Sequence, residues 1–171
     1  MMTPSWKQSG VRWLWLALVV VILDQLAKLA ILDGLPYGGP GINVLPFFNI
    51  VHVYNTGAAF SFLADQPGWQ RWFFALFALG VSAAMVVGLR RQAATQLWLN
   101  LAFVLVIGGA IGNLIDRLAY GHVVDFLLFY GYGYFFPAFN LADCAITVGA
   151  VMIVLDGLRK KPAQPDEQKA S

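Results

Sequence analysis

Four long apolar segments constrain what this chain of 171 residues can fold into. A helix needs roughly 20 mostly apolar residues to cross about 30 Å of hydrocarbon in a bilayer. Segments of that length occupy residues 11–32, 69–89, 97–118 and 138–158. The chain is 59% hydrophobic and 12% charged, whereas soluble domains have about 45–50% apolar and about 25% charged residues. The sequence therefore predicts one integral membrane domain, residues 1–171, built on four transmembrane helices.

The positively charged residues predict how these helices are oriented. They are Lys7 and Arg12 before the first helix, Arg90 and Arg91 after the second, and Arg159, Lys160, Lys161 and Lys169 after the fourth. The loop 33–68 contains no Lys or Arg, and the loop after the third helix has only Arg117. Because cytoplasmic loops are enriched in these residues, we expect both termini in the cytoplasm and both long loops outside. The polar, proline-containing tail 162–171 is expected to be disordered.

The first outer loop has the composition of a small folded unit. Residues 47–54 are rich in aromatic and β-branched side chains, and they lie between Pro46 and the turn signal Asn55-Thr56-Gly57. This pattern predicts one or two short strands. Residues 61–72 mix apolar and polar side chains and predict a short helix lying on the membrane interface. The expected fold class is thus a membrane all-α bundle with a small extracytoplasmic β-rich cradle and a short interfacial helix.

Ionisable groups within the apolar segments are candidates for function, because they are costly to place in a bilayer. Asp24 and Lys28 are four residues apart on one face of the first helix. They predict either a structural ion pair facing the bundle or a support for an active site. Asn113 and Arg117 have the same spacing on the third helix and are expected to face inward. Arg117 could instead extend its side chain to the interface.

Two aspartates lie at the predicted outer surface. Asp125 follows the third helix within Gly121-His122-Val123-Val124-Asp125-Phe126, and Asp143 lies in the first turn of the fourth helix, after the predicted N-cap Asn140. Alone, Asp143 would be read as a capping acid favoured by the helix dipole. Together, two carboxylates in a site of low dielectric constant share a proton, and they serve as general acid and general base on a water. The topology therefore predicts an aspartyl protease dyad.

Other chemistries have weaker support in the sequence. His52 and His122 lack the H-E-x-x-H spacing of zinc proteases, no serine lies in a G-x-S-x-G turn, and Cys144 is expected to be a small buried apolar residue. We expect no metal, no cofactor and no nucleic-acid partner. A transporter or proton channel would also use buried charges, and a noncatalytic assembly factor would explain the small residues 108–112. A transporter predicts charges distributed through the membrane depth, whereas the charges of this chain are expected to cluster at the outer side. An assembly factor does not explain the paired outer aspartates.

Five ordered motifs resemble those of the bacterial lipoprotein signal peptidases (signal peptidase II). The resemblance covers roughly residues 11–158. The motifs are Asp24-x-x-x-Lys28, Asn55-Thr56-Gly57-Ala58-Ala59-Phe60-Ser61, Gly108-Gly109-Ala110-Ile111-Gly112-Asn113-Leu114-Ile115-Asp116-Arg117, Gly121-His122-Val123-Val124-Asp125-Phe126, and Phe139-Asn140-Leu141-Ala142-Asp143. Cys144, where a serine is familiar, and the Tyr- and Gly-rich loop Tyr130–Phe136 depart from the family pattern.

The resemblance implies an activity and a location. The family removes signal peptides from prolipoproteins, cutting before a cysteine that carries a diacylglyceryl group, at the periplasmic face of the bacterial inner membrane. Asp125 and Asp143 match its catalytic pair. The residues that match polar positions around this pair are Asp24, Lys28, Asn55, Asn113, Arg117 and Asn140. The implied partners are diacylated prolipoproteins and membrane lipid, and we expect the protein to act as a monomer.

Overall fold

A computed structural model describes residues 5–57 and 68–159. Its main helices are α1 (Leu14–Gly34), α2 (Trp69–Arg91), α3 (Leu97–Tyr120) and α4 (Leu141–Leu158). Two short 3₁₀ helices, Trp6–Gln8 and Gly10–Trp13, precede α1. With Gly10–Trp13 counted into the first, all four helices are long and apolar enough to cross a membrane. The prediction of four long apolar helices is therefore confirmed.

The fourth apolar segment was predicted to begin at residue 138, but α4 begins at Leu141, directly after the predicted N-cap Asn140. Asn140 has an extended backbone, with φ −134° and ψ −177°, and its side chain accepts a hydrogen bond from the backbone N–H of Asp143. The carboxylate of Asp143 in turn accepts a bond from the backbone N–H of Asn140. This reciprocal capping box satisfies donors that the first turn of a helix leaves free. It fixes where α4 begins.

Helix α3 is the central element of the bundle, since it packs against each of the other three helices. Its glycines allow that close packing. A Cβ atom on Gly109 would overlap the carbonyl oxygen of Ala142 in α4, and one on Gly112 would lie 2.6 Å from the carboxylate of Asp24 in α1. Small residues at helix interfaces let backbones approach closely in membranes. The close approach brings polar groups of α1, α3 and α4 together.

A four-stranded antiparallel sheet accompanies the helices, in the order β1 (Ile42–Leu45), β2 (Phe48–Asn55), β3 (Val123–Gly131) and β4 (Tyr134–Phe135). Strand β2 confirms the strand prediction for residues 47–54. Strand β3 was not predicted, although it contains Asp125, whose position pairs with Val53 of β2. The extracytoplasmic position of this sheet and its arrangement as a cradle stay predictions.

Two predicted segments fall wholly or partly outside the described residues. Of the predicted interfacial helix 61–72, residues 61–67 are not described, and the part from Trp69 onward forms the first turn of α2. The tail 162–171, predicted to be disordered, also lies outside the described residues.

Candidate active site

The two predicted catalytic aspartates line the same cavity, which has a volume of about 810 Å³. Asp125 lies within β3 and is only 2% exposed, and Asp143 lies in the first turn of α4. Asn140 contacts both residues. Its side-chain Nδ2 donates to Asp125 Oδ1 at 2.6 Å, and its Oδ1 accepts from the backbone N–H of Asp143 at 2.9 Å. The N-cap of α4 therefore connects the two aspartates.

Asp125 accepts a hydrogen bond on each carboxylate oxygen. Asn140 donates to Oδ1, and Asn55 at the end of β2 donates to Oδ2 at 3.0 Å. The amide oxygen of Asn55 accepts from the backbone N–H of Gly57 at 3.0 Å. Because each of these amide oxygens faces a donor, the NH₂ group of each asparagine must face the carboxylate. The orientation of Asp125 is thus fixed from two strands and a helix cap.

Asp143 is held in the same manner by a third asparagine. Asn113 Nδ2 donates to Asp143 Oδ1 at 2.7 Å, and the backbone N–H of Asn140 donates to Oδ2 at 3.3 Å. The amide oxygen of Asn113 accepts from the ammonium group of Lys28 at 3.0 Å. Lysine can only donate, so this contact turns the NH₂ group of Asn113 toward Asp143. A charge on α1 thereby orients a carboxylate on α4 through α3.

Lys28 lies at the centre of a buried ion cluster. Its Nζ atom is 2.8 Å from Asp24 Oδ2 and 2.8 Å from Asp116 Oδ2, and all three side chains are at most 2% exposed. The bond to Asn113 uses the third N–H of the ammonium group, so every donor of Lys28 has a partner. The predicted ion pair of Asp24 and Lys28 is present, and Asp116 adds a second carboxylate to it.

The two carboxylates of this cluster hold the backbone beside each candidate catalytic residue. Asp24 Oδ1 accepts from the backbone N–H of Ala142 at 2.9 Å, and Asp116 Oδ2 accepts from the backbone N–H of Val124 at 3.1 Å. Ala142 immediately precedes Asp143, and Val124 immediately precedes Asp125. The ion cluster therefore positions the start of α4 and the start of β3 relative to α1 and α3.

Asp116 and Gln25 belong to this network, although neither was among the predicted site residues. The side-chain amide of Gln25 donates to Asp116 Oδ1 at 2.9 Å and to the carbonyl oxygen of Gly112 at 3.2 Å. Asp116 carried an available signal, because it is an ionisable residue within a transmembrane helix, three residues after Asn113. Gln25 carried no signal beyond its position next to Asp24.

Arg117 faces the interior of the protein and does not extend to the interface. Its Nη2 donates to the carbonyl oxygen of Gly57 at 2.9 Å, and its guanidinium lies 5.1 Å from the centre of the Phe74 ring. The side chain is buried and lines the cavity. Arg117 thus brings a positive charge to the cavity wall and fixes the turn that follows Asn55.

Burial raises the pKa of Asp125 to about 7, and the negative charge of Asp143 adds to the shift. The hydrogen bonds from Asn55 and Asn140 oppose the shift but do not outweigh it. A carboxyl group with this pKa keeps a proton at nearly neutral pH. The cavity therefore combines a carboxyl group that can hold a proton near neutral pH with a second carboxyl group that faces the same space, as acid–base chemistry on a bound water requires.

Other potentially reactive side chains are arranged differently. Within residues 5–57 and 68–159, no group of three or more His, Cys, Asp or Glu side chains could hold a metal ion. His52 and His122 flank the ring of Tyr54, at centroid distances of 5.1 Å and 3.8 Å. Cys144 was expected to be buried, but it is half-buried and lines the cavity beside Asp143.

Residues 16–159 match the family of signal peptidase (SPase) II. The chain belongs to the signal peptidase II family. It is 56% identical over 160 residues to a lipoprotein signal peptidase of Aeromonas hydrophila, covering 94% of this chain and 96% of that protein. It is 53% identical over 162 residues to one of Vibrio cholerae, covering 94% and 95%. Family membership makes the chain a protease, and it confirms the resemblance drawn from the five motifs.

A solved structure of a bacterial membrane enzyme, determined by the in meso method at 2.3 Å resolution, is similar over almost the whole chain. The two share 32% sequence identity with a TM-score of 0.78, over 96% of this chain and 99% of the other. A second such structure, at 1.9 Å resolution, has 31% identity and the same TM-score. Four apolar helices with a small antiparallel sheet are therefore the architecture of a membrane enzyme.

The ion cluster predicts a specific loss of stability. Lys28→Met leaves the carboxylates of Asp24 and Asp116 buried without a cation, which we expect to lower the free energy of unfolding by about 3–5 kcal/mol. The same change at Lys7, which is exposed, is the matched control and should have little effect. Thermal unfolding of the purified variants in detergent measures both. Equal midpoints for the two variants would show that the cluster does not stabilise the fold.

Proposed function

We propose that this protein is an aspartyl endopeptidase that removes signal peptides from prolipoproteins. It cuts before the cysteine that carries a diacylglyceryl group, and Asp125 and Asp143 are its catalytic pair. The observation that carries the proposal is the pair itself: two carboxyl groups face one cavity, one of them with a pKa of about 7. The names of the relatives, which are lipoprotein signal peptidases, support the substrate class.

The positions of the two aspartates, which together hold one proton, support a division of roles between them. Asp143 lies at the N-terminus of α4, where the helix dipole favours a negative charge, so it is the general base. Asp125 retains the proton and is the general acid. A water between them loses a proton to Asp143 as it attacks the scissile carbonyl, and Asp125 protonates the carbonyl oxygen. The leaving amine then takes a proton from the pair.

The surrounding residues support this chemistry by holding the pair and its charge. Asn55, Asn113 and Asn140 orient the carboxylates, and Asp24 and Lys28 hold the elements that carry them. Arg117 lines the cavity and provides a positive charge beside the tetrahedral intermediate.

The distribution of charge favours a peptidase over a transporter or channel. Lys28, Asn113, Asp116 and Arg117 lie in the C-terminal halves of α1 and α3, and Asp24 lies near the middle of α1. Asp143 lies at the N-terminal end of α4. These parts of the helices meet, because Asp24 contacts Ala142 and Asn113 contacts Asp143. A transport path needs polar groups through the full depth of the membrane. The buried charged side chains of the described residues are concentrated in one half of the bundle, which suits a reaction near the surface.

The dyad predicts a loss of cleavage in two conservative variants. Asp125→Asn and Asp143→Asn keep the shape of the side chain but cannot exchange the proton. We expect each to reduce cleavage of a diacylated precursor by about 100- to 10,000-fold. The exposed Asp33 provides the matched control, Asp33→Asn, which should cleave normally. Turnover is measured with purified protein whose folding is checked by its unfolding midpoint. Near-normal turnover would remove the affected aspartate from the mechanism.

The same mechanism predicts how the wild-type rate depends on pH. Because Asp125 must hold its proton, the rate should fall as the pH rises through its pKa of about 7. Chelator treatment should leave the rate unchanged. A rate that increases through this range, or one that a chelator abolishes, contradicts the assignment of Asp125 as the acid.

We also propose that both termini face the cytoplasm and that the cavity opens at the periplasmic face of the inner membrane. The clustering of Lys and Arg supports this orientation. In a Cys144→Ser background, cysteine at exposed Pro40 should react with an impermeant thiol reagent in cells with a permeable outer membrane. Cysteine at exposed Thr95, between α2 and α3, should react only after the inner membrane is opened. The reverse pattern would reverse the orientation.

The lining of the cavity supports recognition of a substrate held in the membrane. It continues from Asp143 along α4 to Val148, which is 51% exposed on a helix that is apolar enough to span the bilayer. A lipid anchor that enters beside α4 would hold the adjacent peptide bond near the dyad. Each buried CH₂ group contributes about 0.8 kcal/mol to the anchoring.

We therefore expect efficient cleavage of a diacylated precursor and little or none of the same precursor without lipid. One preparation of purified enzyme in lipid is tested with both substrates, so that only the modification differs. Equal rates would show that the enzyme reads peptide sequence alone, and the assignment to lipid-modified substrates would then be withdrawn.

A further inference from the structure

The hairpin formed by β3 and β4 ends in an exposed cluster of aromatic rings. We call residues Tyr130–Phe136 the aromatic hairpin. Its most exposed side chains are those of Tyr132, Tyr134 and Phe135, which are 104%, 81% and 72% exposed. Side chains this exposed contribute little to the packing of the protein itself. Because these rings are large and apolar, we expect them to contact something outside the described residues.

The turn of the hairpin makes Tyr132 an unfavourable choice for folding alone. Gly131 pairs with Tyr134, which leaves a two-residue loop of Tyr132 and Gly133. Both have positive φ, 50° and 80°, and Tyr132 is the one non-glycine residue with positive φ among the described residues. Two-residue turns of this kind strongly prefer Asn-Gly or Asp-Gly, because a large L-residue is strained there. A tyrosine at this position costs conformational energy that no contact within the hairpin tip offsets.

The composition of the surrounding segment suits lipid as the missing contact. No charged residue lies between Asp125 and Asp143, a stretch of the chain that joins two apolar helices. Tyrosine is enriched where a membrane meets water, because its ring is apolar and its hydroxyl group is polar. A protein-binding surface would usually include a polar rim with charged groups. Uncharged Tyr and Phe side chains favour the boundary of a bilayer.

The hairpin also adjoins the cavity that continues along α4, a helix long and apolar enough to cross a membrane. Phe136 lines both a pocket of about 310 Å³ under the hairpin and the large cavity that contains the two aspartates. The lining of the large cavity continues to Val148, which is exposed on α4. The aromatic surface is thus continuous with the side of a transmembrane helix.

We propose that the aromatic hairpin inserts into the headgroup and upper acyl region of the membrane leaflet next to the cavity, with Tyr132 at its tip. Strand β3 carries Asp125 near one end and the hairpin at the other. Insertion would therefore set the depth of Asp125 relative to the lipid through one rigid strand. The proposal depends on the membrane-spanning helices and not on the peptidase activity.

A fluorescent probe measures this contact directly. Cysteine replaces Tyr132 in a Cys144→Ser background, and an environment-sensitive probe such as NBD is attached in phosphatidylcholine vesicles. We expect blue-shifted emission and several-fold stronger quenching by lipids brominated near the headgroup than for the same probe at Pro40. Pro40 is the matched control, because it is exposed in the loop before β1, at the opposite edge of the sheet.

Two other outcomes would overturn the proposal. Emission and iodide quenching equal to those of the Pro40 probe would place the hairpin in water. A blue shift without quenching by brominated lipid, lost when the vesicles hold one protein each, would show contact with a second copy of the chain. The measurement needs no catalysis, so its failure is distinct from failure of the proposed peptidase function.

The variant Tyr132→Asn tests the premise that the ring serves no internal purpose. Asparagine accepts positive φ readily, so the unfolding midpoint in detergent should stay equal or increase. A lower midpoint would show that the tyrosine stabilises the protein, and the premise that it is unfavourable in this turn would be withdrawn.

Discussion

A single ammonium group, that of Lys28, organises the polar interior on which the rest of the structure depends. It neutralises Asp24 and Asp116 at 2.8 Å each and orients Asn113 at 3.0 Å. Burying three charges costs desolvation energy that good geometry must offset, so the cluster is weak support for stability by itself. Its importance is positional. The two carboxylates accept hydrogen bonds from the backbone N–H groups immediately before each of the paired aspartates. Packing of the bundle therefore brings the start of α4 and the start of β3 together.

Three asparagine side chains then orient the two aspartates by hydrogen bonds, without adding charge to the site. Each of the three has its amide oxygen facing a donor, and each therefore presents its NH₂ group to Asp125 or Asp143. A neutral donor orients a carboxylate while stabilising its anion less than a nearby cation would. Because its hydrogen-bond donors are neutral amides, Asp125 keeps a pKa of about 7 although it accepts bonds from Asn55 and Asn140. Cations at the same positions would orient the aspartates equally well but would hold both of them ionised.

The sequence was sufficient to predict the four helices from local signals, and the predicted topology was sufficient to propose that Asp125 and Asp143 lie close together. Apolar length predicts a spanning helix, and Asn140 with Asp143 forms a capping box within three residues. Strand β3 was missed because its stretch from Val123 to Tyr130 is almost continuously apolar apart from Asp125, and its pairing partner β2 lies about 70 positions earlier in the chain. Asp116 belongs to one of the five motifs but was not predicted as a site residue, because its contact with Lys28 exists only once α1 and α3 are packed together.

The proposed chemistry requires both a water molecule and partial exclusion of solvent, and the boundary between membrane and water provides both. Hydrolysis consumes a water molecule, which the hydrocarbon core does not supply. A shared proton on two carboxyl groups needs partial exclusion of solvent, because in bulk water both would ionise far below neutral pH. The end of a buried helix bundle meets both needs when a small sheet lies against it, since the sheet covers one aspartate and the helix N-terminus holds the other. The fold thus brings one carboxyl group from each kind of secondary structure into a single cavity.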